Sequence, residues 1–203
     1  MTKSSHFPNL AALVLSGGES RRMGGKDKAL LEIAGKPMIN YVLNSLSSCI
    51  DDITISSNKR DNSYQTFGYP VVHDILTGQL GPLAGIHAGL SQAKTQRLLI
   101  VPCDSPFLNI KLCSLLLQAM DSQQAHIAVA HDGDYLQATF AVIDVQLADS
   151  LARYLNRGGR RLVTWYQEEN YVPVDLSAYK ESFTNINNHR DIEAANKRVQ
   201  ACI

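Results

Sequence analysis

The chain has 203 residues, enough for one domain with a sizeable core and too few for two ordinary ones. Its 45% apolar and 19% charged residues exclude extended disorder, and 19 basic against 19 acidic residues give a formal net charge of zero. That balance lacks the field of a protein that grips nucleic acid polymers or anionic membranes, yet it permits a local cationic cluster around a small anion.

The opening MTKSSHFPN holds no apolar signal-peptide core, and the run Leu10 to Leu15 is too short to span a bilayer. It reads as a buried strand ending in Ser16-Gly17-Gly18, followed by a Gly- and Arg-rich loop to about Lys28. Pro37 then opens a helix with Ile39, Val42, Leu43 and Leu46 along one face. Ile53–Ile55 and Pro70–His73 are the next strands. Leu83, Ile86 and Leu90 mark a helix packed on a sheet, Arg97–Val101 a fourth strand, 110–120 a helix and 126–131 a strand. From about Tyr135 the pattern is less regular, with helices expected over 146–156 and 189–200 and an extended run at Tyr171–Val174. This alternation predicts one α/β domain, a mostly parallel sheet with helices on both faces, whose ligands bind at the carboxyl ends of the strands. Cys49, Cys103, Cys113 and Cys202 show neither Cys-x-x-Cys nor zinc-ligand spacing, so reduced, packed thiols in a cytoplasmic protein are expected.

Two segments carry chemistry. The stretch Leu15 to Lys28 places glycines, Arg21, Arg22, Lys26 and Lys28 at a strand's carboxyl end, where inward N–H groups and cations suit phosphate oxygens. It fits neither the Walker A loop, since Ser20 and Asp27 occupy required positions, nor the dinucleotide pattern G-x-G-x-x-G. The second segment is Val101-Pro-Cys-Asp104-Ser-Pro106. On its own, Asp104 suits a Mg²⁺ ligand and a helix N-cap equally; beside the glycine loop, the metal is favoured.

LSGGESRRMGGKDKALLEIAGKPM, with the later GPLAGI and PCDSPF, closely resembles the nucleotidyltransferases built on a Rossmann-like sheet, and within them the molybdenum cofactor guanylyltransferases. Gly158-Gly159-Arg160-Arg161 and Asn185-Ile186-Asn187 extend the match over nearly the whole chain. The resemblance implies a nucleotide-binding part over about 10–107 and an acceptor-binding part over about 108–203. It implies backbone contacts from Leu15, Ser16 and Gly17 to the guanine nucleotide, with Gly18, Arg22 and Gly25 shaping the triphosphate loop. Lys28 corresponds to a phosphate-binding lysine, Asp74 to a nucleotide-binding Asp, and Asp104 to the Mg²⁺ ligand. Arg160 or Arg161, with Asn185 and Asn187, would hold the pterin phosphate. Relatives often carry Asn where this chain has Ser56, with Asn58 two residues on, so which of the two faces the base stays open.

The implied reaction moves GMP from Mg-GTP to molybdenum-molybdopterin. Attack by one anion on another calls for cations and a metal, here Arg22, Lys28 and Mg²⁺ on Asp104, and for no general base, because the attacking phosphate is already ionised. The implied partners are these two substrates and, transiently, proteins that deliver or receive the cofactor; a monomer is expected. The alternatives are a cytidylyltransferase on the same pterin and a non-catalytic nucleotide-binding delivery module. Other features take plainer readings: Asp132-Gly133-Asp134 as a hairpin turn, His87 as a packed helix residue, Trp165 and Tyr166 as helix packing.

Overall fold

A computed structural model describes residues 6–17, 27–59, 62–76 and 80–201. Along the chain come β1 (Leu10–Leu15), β2 (Glu32–Ile33), β3 (Lys36–Pro37), α1 (Met38–Ser47), β4 (Ile53–Ser56), β5 (Val71–Val72), α2 (Pro82–Gln92) and β6 (Arg97–Pro102). There follow α3 (Lys111–Gln123), β7 (Ile127–His131), β8 (Leu136–Asp144), α4 (Ala148–Asn156), α5 (Leu162–Glu168), β9 (Tyr171–Asp175) and α6 (His189–Gln200). Among the described residues, seven strands form one sheet in the order β5-β4-β1-β6-β8-β7-β9, and β2 and β3 make a separate small ribbon.

β1 shows why the sheet sits where it does. All six of its residues are buried, and with a side-chain period of two they feed both faces. Leu10, Ala12 and Val14 join α1 and α3 through residues such as Val42, Leu46 and Leu116. Ala11, Leu13 and Leu15 join α2, α4 and α5 through Leu83, Leu151 and Trp165. Helices therefore cover both faces, as the alternating pattern requires.

One strand departs from the expected regularity. β8 is nine residues long and runs antiparallel to both β6 and β7, whereas the other pairings in the sheet are parallel. The turn at 132–135 reverses the chain, so the run after Tyr135 returns between β6 and β7 instead of crossing over. The reversal has a consequence for position. Leu136 starts β8 opposite His131 and Asp144 ends it opposite Arg97, so α4 climbs back toward the carboxyl ends of the parallel strands. The α4–α5 turn, residues 157–161, thus lies at the same sheet edge as the exits of β1, β4 and β6. The strand expected over Pro70–His73 narrows to Val71–Val72, since Pro70 has no N–H for the ladder and contributes only its carbonyl, to Ile55 N.

Candidate active site at the carboxyl edge of the sheet

The exit of β1 is tied to both neighbouring strands. Ser16 N donates to Ser56 O at 2.9 Å, and Leu15 O accepts from Cys103 N at 3.0 Å. Leu15 and Ser16 therefore sit between the ends of β4 and β6, and Gly17 follows, exposed. Gly18, Arg22 and Gly25 lie outside the described residues. The chain re-enters at Asp27, whose Oδ1 caps the short 3-10 turn Lys28–Leu30 by accepting from Ala29 N at 3.1 Å. Its Oδ2 accepts from Tyr64 Oη at 2.7 Å and pairs with Lys59 Nζ at 2.9 Å.

Lys28 and Asp104 meet directly: Lys28 Nζ donates to Asp104 Oδ2 and, at 2.6 Å, to Asn187 Oδ1. Both members of the ion pair are mostly withdrawn from water, at 21% and 18% side-chain exposure. The stretch 185–187 runs along 104–105, with Ile186 N donating to Asp104 O at 2.9 Å and Ser105 Oγ donating to Asn185 Oδ1 at 2.6 Å. Asn187, expected on the acceptor, thus also touches the phosphate-binding lysine. Asp104 caps no helix, because α3 starts seven residues on with Ile110 in the cap position. Its other oxygen, Oδ1, is buried without a hydrogen-bond partner among the described residues. A buried carboxylate oxygen in that state suits a cation. Among the described residues no three His, Cys, Asp or Glu side chains cluster to hold a metal by themselves. Mg²⁺ needs no such cage, since it binds through one or two carboxylates, water and substrate phosphates. The adjoining Cys103 is buried, which pushes its thiol up to about 12 and keeps it protonated.

Beyond β4 and β5, Asn58 and Asp74 form a two-bond pair: Asn58 Nδ2 donates to Asp74 Oδ2 at 2.6 Å, and Asp74 N donates to Asn58 Oδ1 at 3.0 Å. Ser56 is buried and faces α2 at Gly85; a Cβ there would stand 2.2 Å from Ser56 Oγ and 3.7 Å from Asp74 Oδ1. The second glycine of GPLAG is needed for this close approach of helix to strand.

Arg160 and Arg161 stand in the 157–161 turn, both exposed. Gly158 takes φ +93°, and a Cβ on Gly159 would fall 2.4 Å from the Tyr154 ring, so the glycine pair is dictated by the turn. Arg160 donates to the carbonyls of Leu155 (3.0 Å) and Gly159 (2.6 Å), closing the end of α4. No described contact joins either arginine to Asp104, Lys28 or Asn187.

The MobA-like NTP transferase domain matches residues 12–170. The chain belongs to this family. The molybdenum cofactor guanylyltransferase of Pasteurella multocida (strain Pm70) is 40% identical over 183 residues, covering 90% of this chain and 97% of that one. That of Shewanella frigidimarina (strain NCIMB 400) is 39% identical over 180 residues, covering 89% and 92%. Among solved structures, molybdopterin-guanine dinucleotide biosynthesis protein A from Archaeoglobus fulgidus superposes with a TM-score of 0.79 at 22% identity, covering 94% and 99%. The 2-C-methyl-D-erythritol 4-phosphate cytidylyltransferase from Thermus thermophilus gives 0.70 at 14% identity, covering 93% and 98%. At these identities the structural likeness establishes the α/β nucleotidyltransferase fold alone.

The plainer readings of the other polar features agree with the family fold. Asp132 accepts from the backbone N–H groups of Asp134 and Tyr135 and from Gln137, a turn anchor whose carboxyl those backbone donors hold below its usual range. Trp165 and Tyr166 are fully buried. His87 is buried in α2, which lowers its pKa. Tyr64 and Lys59 have no part in the sequence reading, while Ser105 and Gly85 stand there only as members of PCDSPF and GPLAGI. Tyr64 gives no signal in the irregular stretch Asn62–Phe67, and only the fold brings it to residues 16 and 27.

Proposed function

We propose that the chain transfers GMP from GTP to molybdenum-molybdopterin, forming the guanine dinucleotide cofactor and pyrophosphate. One observation carries this reading: in a chain 40% identical to guanylyltransferases over nine-tenths of its length, Lys28, Asp104 and Asn187 meet at the sheet edge and leave one buried carboxylate oxygen unpartnered.

The acceptor phosphate forms a bond to the α-phosphorus of GTP while the bond to the β-phosphate oxygen breaks, and pyrophosphate leaves with that electron pair. Two N–H groups of the Lys28 ammonium are held by Asp104 and Asn187, which leaves the third for a phosphoryl oxygen. Arg22, with the backbone of Gly18 and Gly25, takes the triphosphate. Leu15, Ser16 and Gly17, with Ser56 and Asp74, receive the nucleoside, and Asn58 fixes Asp74. Mg²⁺, held by Asp104 through Oδ1, would offset the charge that gathers on the phosphates. Arg160 or Arg161, with Asn185 and Asn187, takes the acceptor. The reaction is placed in the cytoplasm, in transient contact with proteins that deliver or receive the cofactor. Among the described residues no helix is long and apolar enough to cross a membrane.

The test is a melting experiment with Mg²⁺ and each of four nucleoside triphosphates, paired with product analysis after the acceptor is added. GTP at 100 times its Kd should raise stability by about 2.7 kcal/mol, which is roughly 5–10 °C in Tm for a domain of this size. A larger shift with CTP would move the assignment to cytidylyl transfer, and tight binding without product would leave a delivery module.

A further inference from the structure

Tyr64 is buried, at 2% exposure, in the 3-10 turn Asn62–Phe67 that connects β4 to β5. Its hydroxyl lies 2.5 Å from Ser16 Oγ and 2.7 Å from Asp27 Oδ2. These two partners are the last buried residue before the glycine-rich segment and the first residue described after it. We propose that Tyr64 is the positioning residue of the nucleotide site, fastening both ends of the segment 16–28 with a single hydroxyl and holding Lys28 in place through Asp27. The inference rests on the reading of that segment as the nucleotide-binding loop.

The chemistry of the three groups fixes the direction of the bonds. The Asp27 carboxylate only accepts, so the Tyr64 O–H donates to it, and the hydrogen between Tyr64 and Ser16 must come from Ser16. Burial pushes the phenol's pKa above its ordinary value, and the bond to Asp27 acts in the same sense, so the donor stays protonated. Two consequences follow. The Ser16 hydrogen is committed to Tyr64, so toward a ligand the Ser16 side chain offers only lone pairs: it can accept from a sugar hydroxyl or a base N–H but cannot donate to a phosphate oxygen. The Asp27 carboxylate is in turn held by three groups, Tyr64, Lys59 and Ala29 N, and Lys28 is the next residue. Asp27, an acidic residue inside a loop that must receive a polyanion, is thereby turned away from that task and used as an anchor.

A group fixed before the ligand arrives spares the ligand the ordering cost, so losing it should weaken nucleotide binding more than it slows saturated turnover. The experiment measures nucleotide Kd well below Tm, together with kcat and both KM values, for the wild type and Tyr64→Phe. The nucleotide used is whichever of the four triphosphates the wild type binds most tightly. Tyr64→Phe should raise its Kd and KM roughly tenfold, on the scale of one net hydrogen bond to a charged group, with the acceptor KM unchanged. In an Asp27→Ala background the same change should cost clearly less than it does in the wild type, because the Asp27 bond is already gone and only the bond to Ser16 is left to lose. A Tyr64→Phe protein with lowered Tm but wild-type Kd, or full additivity with Asp27→Ala, overturns the proposal. Should Tyr64→Phe not fold, Ser16→Ala and Asp27→Ala each break one end of the same chain of bonds, and wild-type Kd in both overturns it. A wild-type preference for a base other than guanine defeats the guanylyl reading while the comparison at Tyr64 proceeds with that nucleotide. Failure of the wild type to bind any of the four defeats both.

Discussion

Replacing Asp104 by Asn separates the chemistry of the site from its architecture. The substitution keeps size and shape, and the backbone bond from Ile186 N to Asp104 O is untouched. What it removes is the negative charge opposite Lys28 and the carboxylate oxygen proposed for Mg²⁺. The ion-paired side chains are about one-fifth exposed. Their loss therefore falls between an exposed pair, about 0–1 kcal/mol, and a buried one broken at one end, about 3–5 kcal/mol. About 2 kcal/mol is the reasonable figure, or roughly 4–8 °C in Tm for a chain of this length. A domain holds about 5–15 kcal/mol, so at least about 3 kcal/mol would remain and under about 1% of the molecules would be unfolded at 25 °C. Unfolding therefore cannot imitate a catalytic defect. Loss of one preorganised electrostatic contact in the transition state should lower GMP transfer by about 100-fold or more. The assay pairs calorimetry with single-turnover transfer on one preparation, and adds GTP binding without metal, which should hold or improve as an anion facing the triphosphate is lost. Near-normal transfer by Asp104→Asn, or a loss of transfer that simply tracks loss of folded protein, would refute the reasoning.

Other expectations rest on separate contacts. Gly85→Ala places a methyl group against Ser56 Oγ and should cost about 1–3 kcal/mol by chemical denaturation, most of it recovered by adding Ser56→Ala; strict additivity of the two would count against the clash. Arg161→Ala should raise the acceptor KM without changing GTP affinity, whereas Asn187→Ala, which also releases Lys28, should weaken both; kinetics in which both variants spare GTP would remove Asn187 from the lysine's support. The folded-state pKa of His87 is depressed by burial, so the unfolded chain takes up a proton first and stability should fall as pH drops below about 6.5. His87→Gln should flatten that part of the pH–stability curve, and an unchanged slope would place its origin elsewhere. Cys103, buried and protonated, should resist alkylation at pH 8 in the folded protein and react only on denaturation, as read by mass spectrometry.

Much of this protein is local and therefore legible in its sequence. β1, β4, β6, α1, α2 and α6 follow from apolar periodicity and caps, and the segments around Lys28 and Asp104 stand at strand ends because the strands preceding them are apolar runs of fixed length. The turn at Asp132 was equally readable, since it depends on neighbours in the chain. The place of β8 between β7 and β6 was not, because the hairpin turn fixes only its antiparallel direction to β7, and an apolar run does not say which strand lies on its other side. Nor were the contacts that assemble the site. Lys28 and Asn187 are 159 positions apart, Ser105 and Asn185 are 80 apart, and Ser16 reaches Tyr64 across 48. Sequence alone decided which residue types would meet a phosphate: lysine and arginine for charge, glycine for close approach, aspartate for a cation. Which oxygen of Asp104 is paired and which is left, which asparagine steadies the lysine, and which hydroxyl ties Ser16 to Asp27 were decided only by the folded chain, because hydrogen bonds act over about 3 Å and the distances between these groups are set by the packing of the whole sheet.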